Sequence, residues 1–170
     1  MKVITYTFII LLIGIVGFVL FPQPEAKINT KVDYIVINKS KRELLIYSAG
    51  NFIKKYKISL GRNPVSKKEY EDDKRTPEGK YFIDSKNENS SFHKNLGISY
   101  PNAIDSLNAI RLNKNTGGNI KIHGLKNGLG LLGKLHRLFD WTAGCIAVTN
   151  DEIDELYSTV RIGTIVEINP

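Results

Sequence analysis

The chain has 170 residues, 42% of them hydrophobic, a formal charge of +7 and a single cysteine. This composition suits one domain with a sizeable core plus a short appendage, and it excludes an intrachain disulfide framework or a cysteine-based zinc site. The basic balance favours anionic surroundings, but the lysines lie scattered in polar segments without interleaved aromatics, so no nucleic-acid partner is expected.

After Met1-Lys2, residues 3–21 form a nearly unbroken apolar run. At about 1.5 Å per residue, a helix of that length approximates the ~30 Å hydrocarbon core of a bilayer. The following Phe21-Pro22-Gln23-Pro24-Glu25-Ala26 makes a poor small-x-small cleavage site, because Pro24 stands where the first small residue is needed. Residues 1–26 are therefore expected to be an uncleaved signal anchor with a short tether stiffened by Pro22 and Pro24.

From Asp33 the apolar pattern changes to period two, the mark of half-buried strands. Tyr34-Ile35-Val36-Ile37 and Glu43-Leu44-Leu45-Ile46-Tyr47 predict a hairpin, and Ser48-Ala49-Gly50-Asn51 turns the chain into a third strand over residues 52–59. Residues 61–74 are polar. Their acidic cluster, Glu71, Asp72 and Asp73, lacks the spacing of a calcium loop and reads as a solvated face. Arg75-Thr76-Pro77-Glu78-Gly79 predicts a turn ahead of a strand over residues 80–84.

Residues 96–100 read as another strand, and Pro101 suits the first position of a short helix running through Asn108. Tyr100 is read as core, with a place in a cleft as the alternative. Asn115-Thr116-Gly117-Gly118 turns the chain into Ile120-Lys121-Ile122-His123, where Gly124 lets the backbone turn away and leaves the imidazole at a strand end. The glycines at 124, 128 and 130 are not followed by the lysine-serine or lysine-threonine pair of a phosphate loop. The segment from Gly124 to Phe139 is instead predicted to be a mobile flap over a cleft, its apolar second half a short helix carrying His136 and Arg137 toward solvent or substrate carboxylates. Past the cysteine, Thr149 and Glu152 predict a capping box for a helix that buries Ile153, Leu156, Tyr157 and Val160. Arg161-Ile162-Gly163 ends that helix, and residues 164–168 close the sheet.

The lone Cys145 is either a buried filler or a reactive group. It lies in Trp141-Thr142-Ala143-Gly144-Cys145-Ile146-Ala147-Val148, where Gly144 admits a carbonyl close to the backbone and the Gly144 and Cys145 peptide N–H groups are placed to receive an oxyanion. A thiol near pKa 8.5 is only slightly ionised at neutral pH, so a neighbouring imidazolium is expected to lower that value. His123 is the expected base. His136 is the alternative partner or a structural residue, and His93 lies in a polar loop. Asp140, Thr142 and Gly124 are candidate supporting residues.

Ile122-His123-Gly124, followed by Thr-x-Gly-Cys-Ile-x-Val and preceded by Arg75-Thr76-Pro77-Glu78-Gly79, resembles the L,D-transpeptidase catalytic domain, also called the YkuD domain. The resemblance covers residues 33–169. The commonest family pattern has Ser-His-Gly-Cys and an arginine two residues after the cysteine, where this chain has Ala143 and Ala147; Asp-Trp-Thr-x-Gly-Cys-Ile-Ala resembles a family subgroup. The resemblance implies a mainly β fold, a curved sheet or small β-sandwich with one or two short helices, to which the N-terminal transmembrane helix is added. It implies that the turn at residues 75–79 frames the active-site entrance.

It further implies cysteine-dependent acyl transfer on peptidoglycan stem peptides, with Cys145 as nucleophile, His123 as general base, Gly144 in the oxyanion hole, and neither metal nor cofactor. Water as acceptor would make the same site a carboxypeptidase, endopeptidase or amidase. A membrane-tethered module that grips wall polymer, with Cys145 buried in its core, is the alternative of another class. The expected location is the bacterial cytoplasmic membrane, with the domain on its periplasmic or extracellular side, or secreted if the N-terminal segment is instead a cleaved signal peptide.

Overall fold

The alternating segments pair as their periodicity requires. In the computed structural model, which describes residues 2–20 and 30–170, β1 (Val32–Asn38), β2 (Glu43–Ser48) and β3 (Asn51–Lys57) form the expected antiparallel meander. β1 turns Ile35 and Ile37 fully inward while Tyr34 and Val36 stay half-buried on the other face. β4 (Gly79–Ser90), β5 (His93–Ile98), β6 (Lys121–His123), β7 (Ile146–Ala147) and β8 (Val160–Asn169) complete one eight-stranded sheet in the order β3-β2-β1-β8-β4-β5-β6-β7. It is a single curled sheet rather than a sandwich.

β8 lies parallel to β1 and antiparallel to β4, so the end of the chain fills the centre of the sheet. The first third of β4 pairs with β8 and the rest with β5, which makes β4 the strand shared by both halves. β4 runs beyond the expected residues 80–84 because Ser85-Lys86-Asn87-Glu88-Asn89-Ser90 is a mostly exposed arm whose pairing with β5 leaves no apolar alternation.

Three helices are described. α1 (Lys2–Leu20) covers all of the apolar run except Phe21, which lies with the predicted tether outside the described residues. α2 (Ala103–Arg111) starts later than expected. Asn102, not Pro101, ends the lead-in: its side chain accepts from the Asp105 amide at 3.0 Å while the Asp105 carboxylate accepts from the Asn102 amide at 3.1 Å. α3 (Asn150–Thr159) has the predicted capping box, with Thr149 Oγ1 and the Glu152 carboxylate each accepting the other's amide, and it buries Ile153 and Leu156 against the sheet. β8 then begins at Val160, so Arg161-Ile162-Gly163 belongs to the strand.

The core joins Ile35, Ile37, Leu44 and Ile46 of the meander to Ile83, Leu96, Ile122 and Ile146 of the other half. Each such side chain contributes about 1.5–3 kcal/mol on full burial. The acidic cluster is not wholly a solvated face: Asp73 is buried, takes Lys68 Nζ at 2.9 Å and accepts three backbone amides, which hold its carboxyl below the ordinary range despite burial.

Candidate active site

β6 and β7 are parallel neighbours with Ile122 opposite Ile146 and His123 opposite Ala147, so the residue before β7, Cys145, comes level with Lys121. Both His123 and Cys145 line a cleft of about 910 Å³. The carbonyl of Gly124 lies 2.7 Å from His123 Nδ1 and can only accept, which fixes the proton on Nδ1 and leaves Nε2 with a free lone pair. Phe92 and Trp141 clamp the ring, with centroids at 4.7 and 5.7 Å. Gly124 thus contributes through its carbonyl.

Cys145 is half-buried, and its Sγ–H donates to the Asn119 carbonyl at 3.5 Å. Burial pushes the thiol up, opposed by the Lys121 amide and by the charges of Lys121 and Lys68. Burial also pushes His123 down, opposed by its bond to Gly124. Both shifts favour the uncharged forms. These directions run against the thiolate–imidazolium pair expected from the sequence, because desolvation outweighs the local donors.

The turn before the cysteine is held by Thr142, whose Oγ1 donates to the Cys145 carbonyl at 2.7 Å and accepts from the Gly144 amide at 3.1 Å. The Gly144 N–H is thereby engaged locally, while the Cys145 N–H has no partner among the described residues. Of the two amides expected as oxyanion donors, that of Gly144 is thus committed to Thr142 in this conformation and that of Cys145 is not. Gly144 is needed for another reason: its φ is +127°, and a Cβ there would stand 2.6 Å from the Arg75 carbonyl oxygen.

That contact gives the Arg75-Thr76-Pro77-Glu78-Gly79 turn its place. It lies under the cysteine turn rather than at the cleft entrance, with buried Thr76 accepting the Gly61 amide and Lys39 bridging the Thr76 carbonyl and Glu78.

His136 does not face solvent. The flap forms 3₁₀ turns over Gly130–Leu138, broken at Gly133, and His136 is only 4% exposed. Trp141 Nε1–H donates to His136 Nδ1 at 3.4 Å, and Ser59 Oγ lies 3.2 Å from the same nitrogen while donating to the His136 carbonyl at 3.1 Å. The proton therefore sits on Nε2, which is buried without a partner among the described residues. Burial, with Arg137 and His123 nearby, lowers its pKa to about 4.

Arg137 pairs with Glu152 at 2.6 Å instead of reaching the cleft. Asp140 also turns away, accepting the Leu60 amide at 2.8 Å and the Arg42 guanidinium at 2.8 Å. Tyr100 is core, against Tyr81, and His93 pairs with Asp154 at 2.8 Å although its Cβ lies next to Gly124.

Sequence reading missed Phe92, Asn119, Arg62 and Lys121 as cleft residues. Lys121 alone had a usable signal, since strand alternation puts it on the same face as His123. The polar side chains of β4's arm had none.

The structure defines a mainly β domain whose curled sheet brings a cysteine and a histidine from two adjacent parallel strands into one cleft. Sequence and fold comparisons agree with that class. The chain belongs to the L,D-transpeptidase catalytic domain family (YkuD), whose model matches residues 32–168. Among solved structures it is similar to the helical cell shape determining protein Pgp2 from Campylobacter jejuni, at 25% identity and a TM-score of 0.62 over 82% of this chain and 48% of that one. Bd1075 of Bdellovibrio bacteriovorus is 23% identical with a TM-score of 0.55, over 88% of this chain and 51% of that one. An L,D-transpeptidase from Mycobacterium smegmatis, 12% identical with a TM-score of 0.55 over 84% of this chain and 61% of that one, shares the fold. This chain spans about half the length of the first two. No curated protein matches the sequence.

Proposed function

We propose that this domain is an L,D-transpeptidase acting on peptidoglycan stem peptides through a Cys145 thioester. The observation that carries the reading is that one cleft holds both a half-buried thiol and a histidine whose Nδ1 is committed to Gly124, which leaves its Nε2 lone pair free to accept a proton. Family membership supports it, as does the similarity to a cell shape determining protein.

In the first half-reaction His123 Nε2 takes the thiol proton as sulfur adds to the carbonyl of the third stem residue, and the Cys145 N–H receives the oxyanion. Collapse breaks the amide; the terminal D-alanine amine leaves with the proton from His123. In the second, an acceptor amine adds to the thioester while His123 takes its proton, and the sulfur departs and is reprotonated. A neutral resting pair suits this order, because a base must be unprotonated to accept. Water in place of the amine gives hydrolysis by the same steps.

The domain is further proposed to sit outside the cytoplasmic membrane, tethered by the apolar residues 3–21. Since Cys145 is the only thiol, an impermeant maleimide should label it in cells whose inner membrane is intact, once any outer barrier is opened; labelling that needs inner-membrane lysis would place the domain inside.

The central test is intact-mass analysis of the detergent-solubilised chain with tetrapeptide stems. An acyl adduct on Cys145, absent in Cys145→Ser, is expected. Peptide turnover by a folded Cys145→Ser protein would show that the nucleophile lies elsewhere.

A further inference from the structure

The charge lining the cleft is one-sided. Arg62, Lys74, Lys121 and Lys126 all line it, and among the described residues no aspartate or glutamate does. They come from three separate places: Arg62 and Lys74 from the loop after β3, Lys121 from β6, and Lys126 from the start of the flap. Among the described residues, neither Lys121 nor Lys126 has a carboxylate partner. Among the described residues, the Arg62 guanidinium bonds only the Trp141 carbonyl, at 3.1 Å. Lys74 is paired, but with Asp72, whose side chain is 82% exposed and outside the cleft.

Like charges gathered round one concavity repel each other, and the described residues supply no counter-charge inside it. An anionic ligand relieves that repulsion. The rest of the lining is neutral: Phe92 and Trp141 as apolar walls, and amides or hydroxyls such as Asn95 and Asn119 that bond a peptide backbone without preferring a charge.

We infer that this cleft selects stem peptides whose side-chain carboxylates are free, and rejects those in which they are carboxamides. The inference rests on the transpeptidase reading of the same site. Lys121 is the specificity-determining cation, because it shares the sheet face of His123 and stands level with Cys145, where the third stem residue is held during acylation. Arg62, Lys74 and Lys126 act on carboxylates further along the peptide. Amidation removes the charge and replaces one acceptor oxygen by an N–H donor while keeping the size, so it tests for cations in the cleft without changing fit.

The test uses the full chain in detergent with two tetrapeptide stems that differ only in whether the third residue's side-chain carboxylate is free or amidated. The rate of Cys145 adduct formation is read by intact mass and kcat/KM by product release, at low and high salt. The free-acid peptide is expected to be preferred at least about tenfold, the loss expected when a charge-assisted contact is removed. The preference should shrink as salt rises. Lys121→Gln should narrow it and Lys121→Arg should keep most of it.

Equal rates for the two peptides on the unmodified protein, or a preference for the amidated one, would overturn the inference while leaving the transpeptidase reading intact. A preference undiminished by Lys121→Gln would overturn the role of Lys121. Failure of both peptides to form an adduct would remove the reading beneath it.

Discussion

His136 makes the sharpest test of the site's electrostatics, because its burial has a consequence for stability that needs no substrate. Its imidazole has an ordinary pKa of 6.5 in the unfolded chain and about 4 in the fold. Below pH 6.5 the unfolded state therefore takes up a proton that the native state refuses. Unfolded protein binds more protons, so stability falls as pH falls, and the loss is complete near pH 4. The gap between 6.5 and about 4, at about 1.4 kcal/mol for each pH unit, comes to roughly 3 kcal/mol. His123 acts with the same sign, so the two must be separated by mutation. Asp73 does not interfere in this window, since its carboxyl is held below 3.8 and its own contribution is lost only in stronger acid.

The assay is urea unfolding of the parent and of His136→Gln at intervals from pH 8 to pH 4.5. The difference in stability between them should move in favour of the variant as pH falls, by up to about 2–3 kcal/mol across that range. Parallel curves would show that His136 is protonated as easily in the fold as outside it, and the buried, unpartnered Nε2 would then be the wrong description of the flap.

Three further outcomes follow from the geometry. Gly144→Ala should cost at least about 3 kcal/mol, from a backbone conformation unfavourable to side chains and the collision with the Arg75 carbonyl, read as a fall in unfolding temperature; a shift within error would refute that packing. His123→Ala should slow peptide acylation by about 10²–10⁴-fold while moving the pH profile of Cys145 alkylation little, since the resting thiol is not held as an ion pair; a large shift in that profile would restore the ion-pair view. Asp140→Ala should destabilise by about 1–3 kcal/mol, because it strands the Leu60 amide and takes the carboxylate from an Arg42 guanidinium that keeps the Lys39 carbonyl, and an unchanged unfolding temperature would show that the amide finds another partner.

Sequence made some of this legible for identifiable reasons. The meander and α3 follow from period-two and period-3.6 patterns backed by a capping box, signals that are local and that tertiary packing reinforced. Cys145 and His123 were legible because each stands beside a glycine in a short motif. What escaped was set by contacts distant in sequence. Asp140 and Asp73 look like loop acids until Arg42, Leu60 and Lys68 are seen beside them. His136 looks solvent-facing until Ser59 and Trp141 close on it. The shifts of Cys145 and His123 run against the expected ion pair because burial, which no motif reports, dominates both.

β8 governs whether the site can exist. It is inserted between β1 and β4, and its ten residues are the seam that joins the meander to the half carrying Cys145 and His123. Without them β1 and β4 have no common neighbour. A product truncated before Val160 would carry every residue of the cleft and still lack the strand that draws its two walls together.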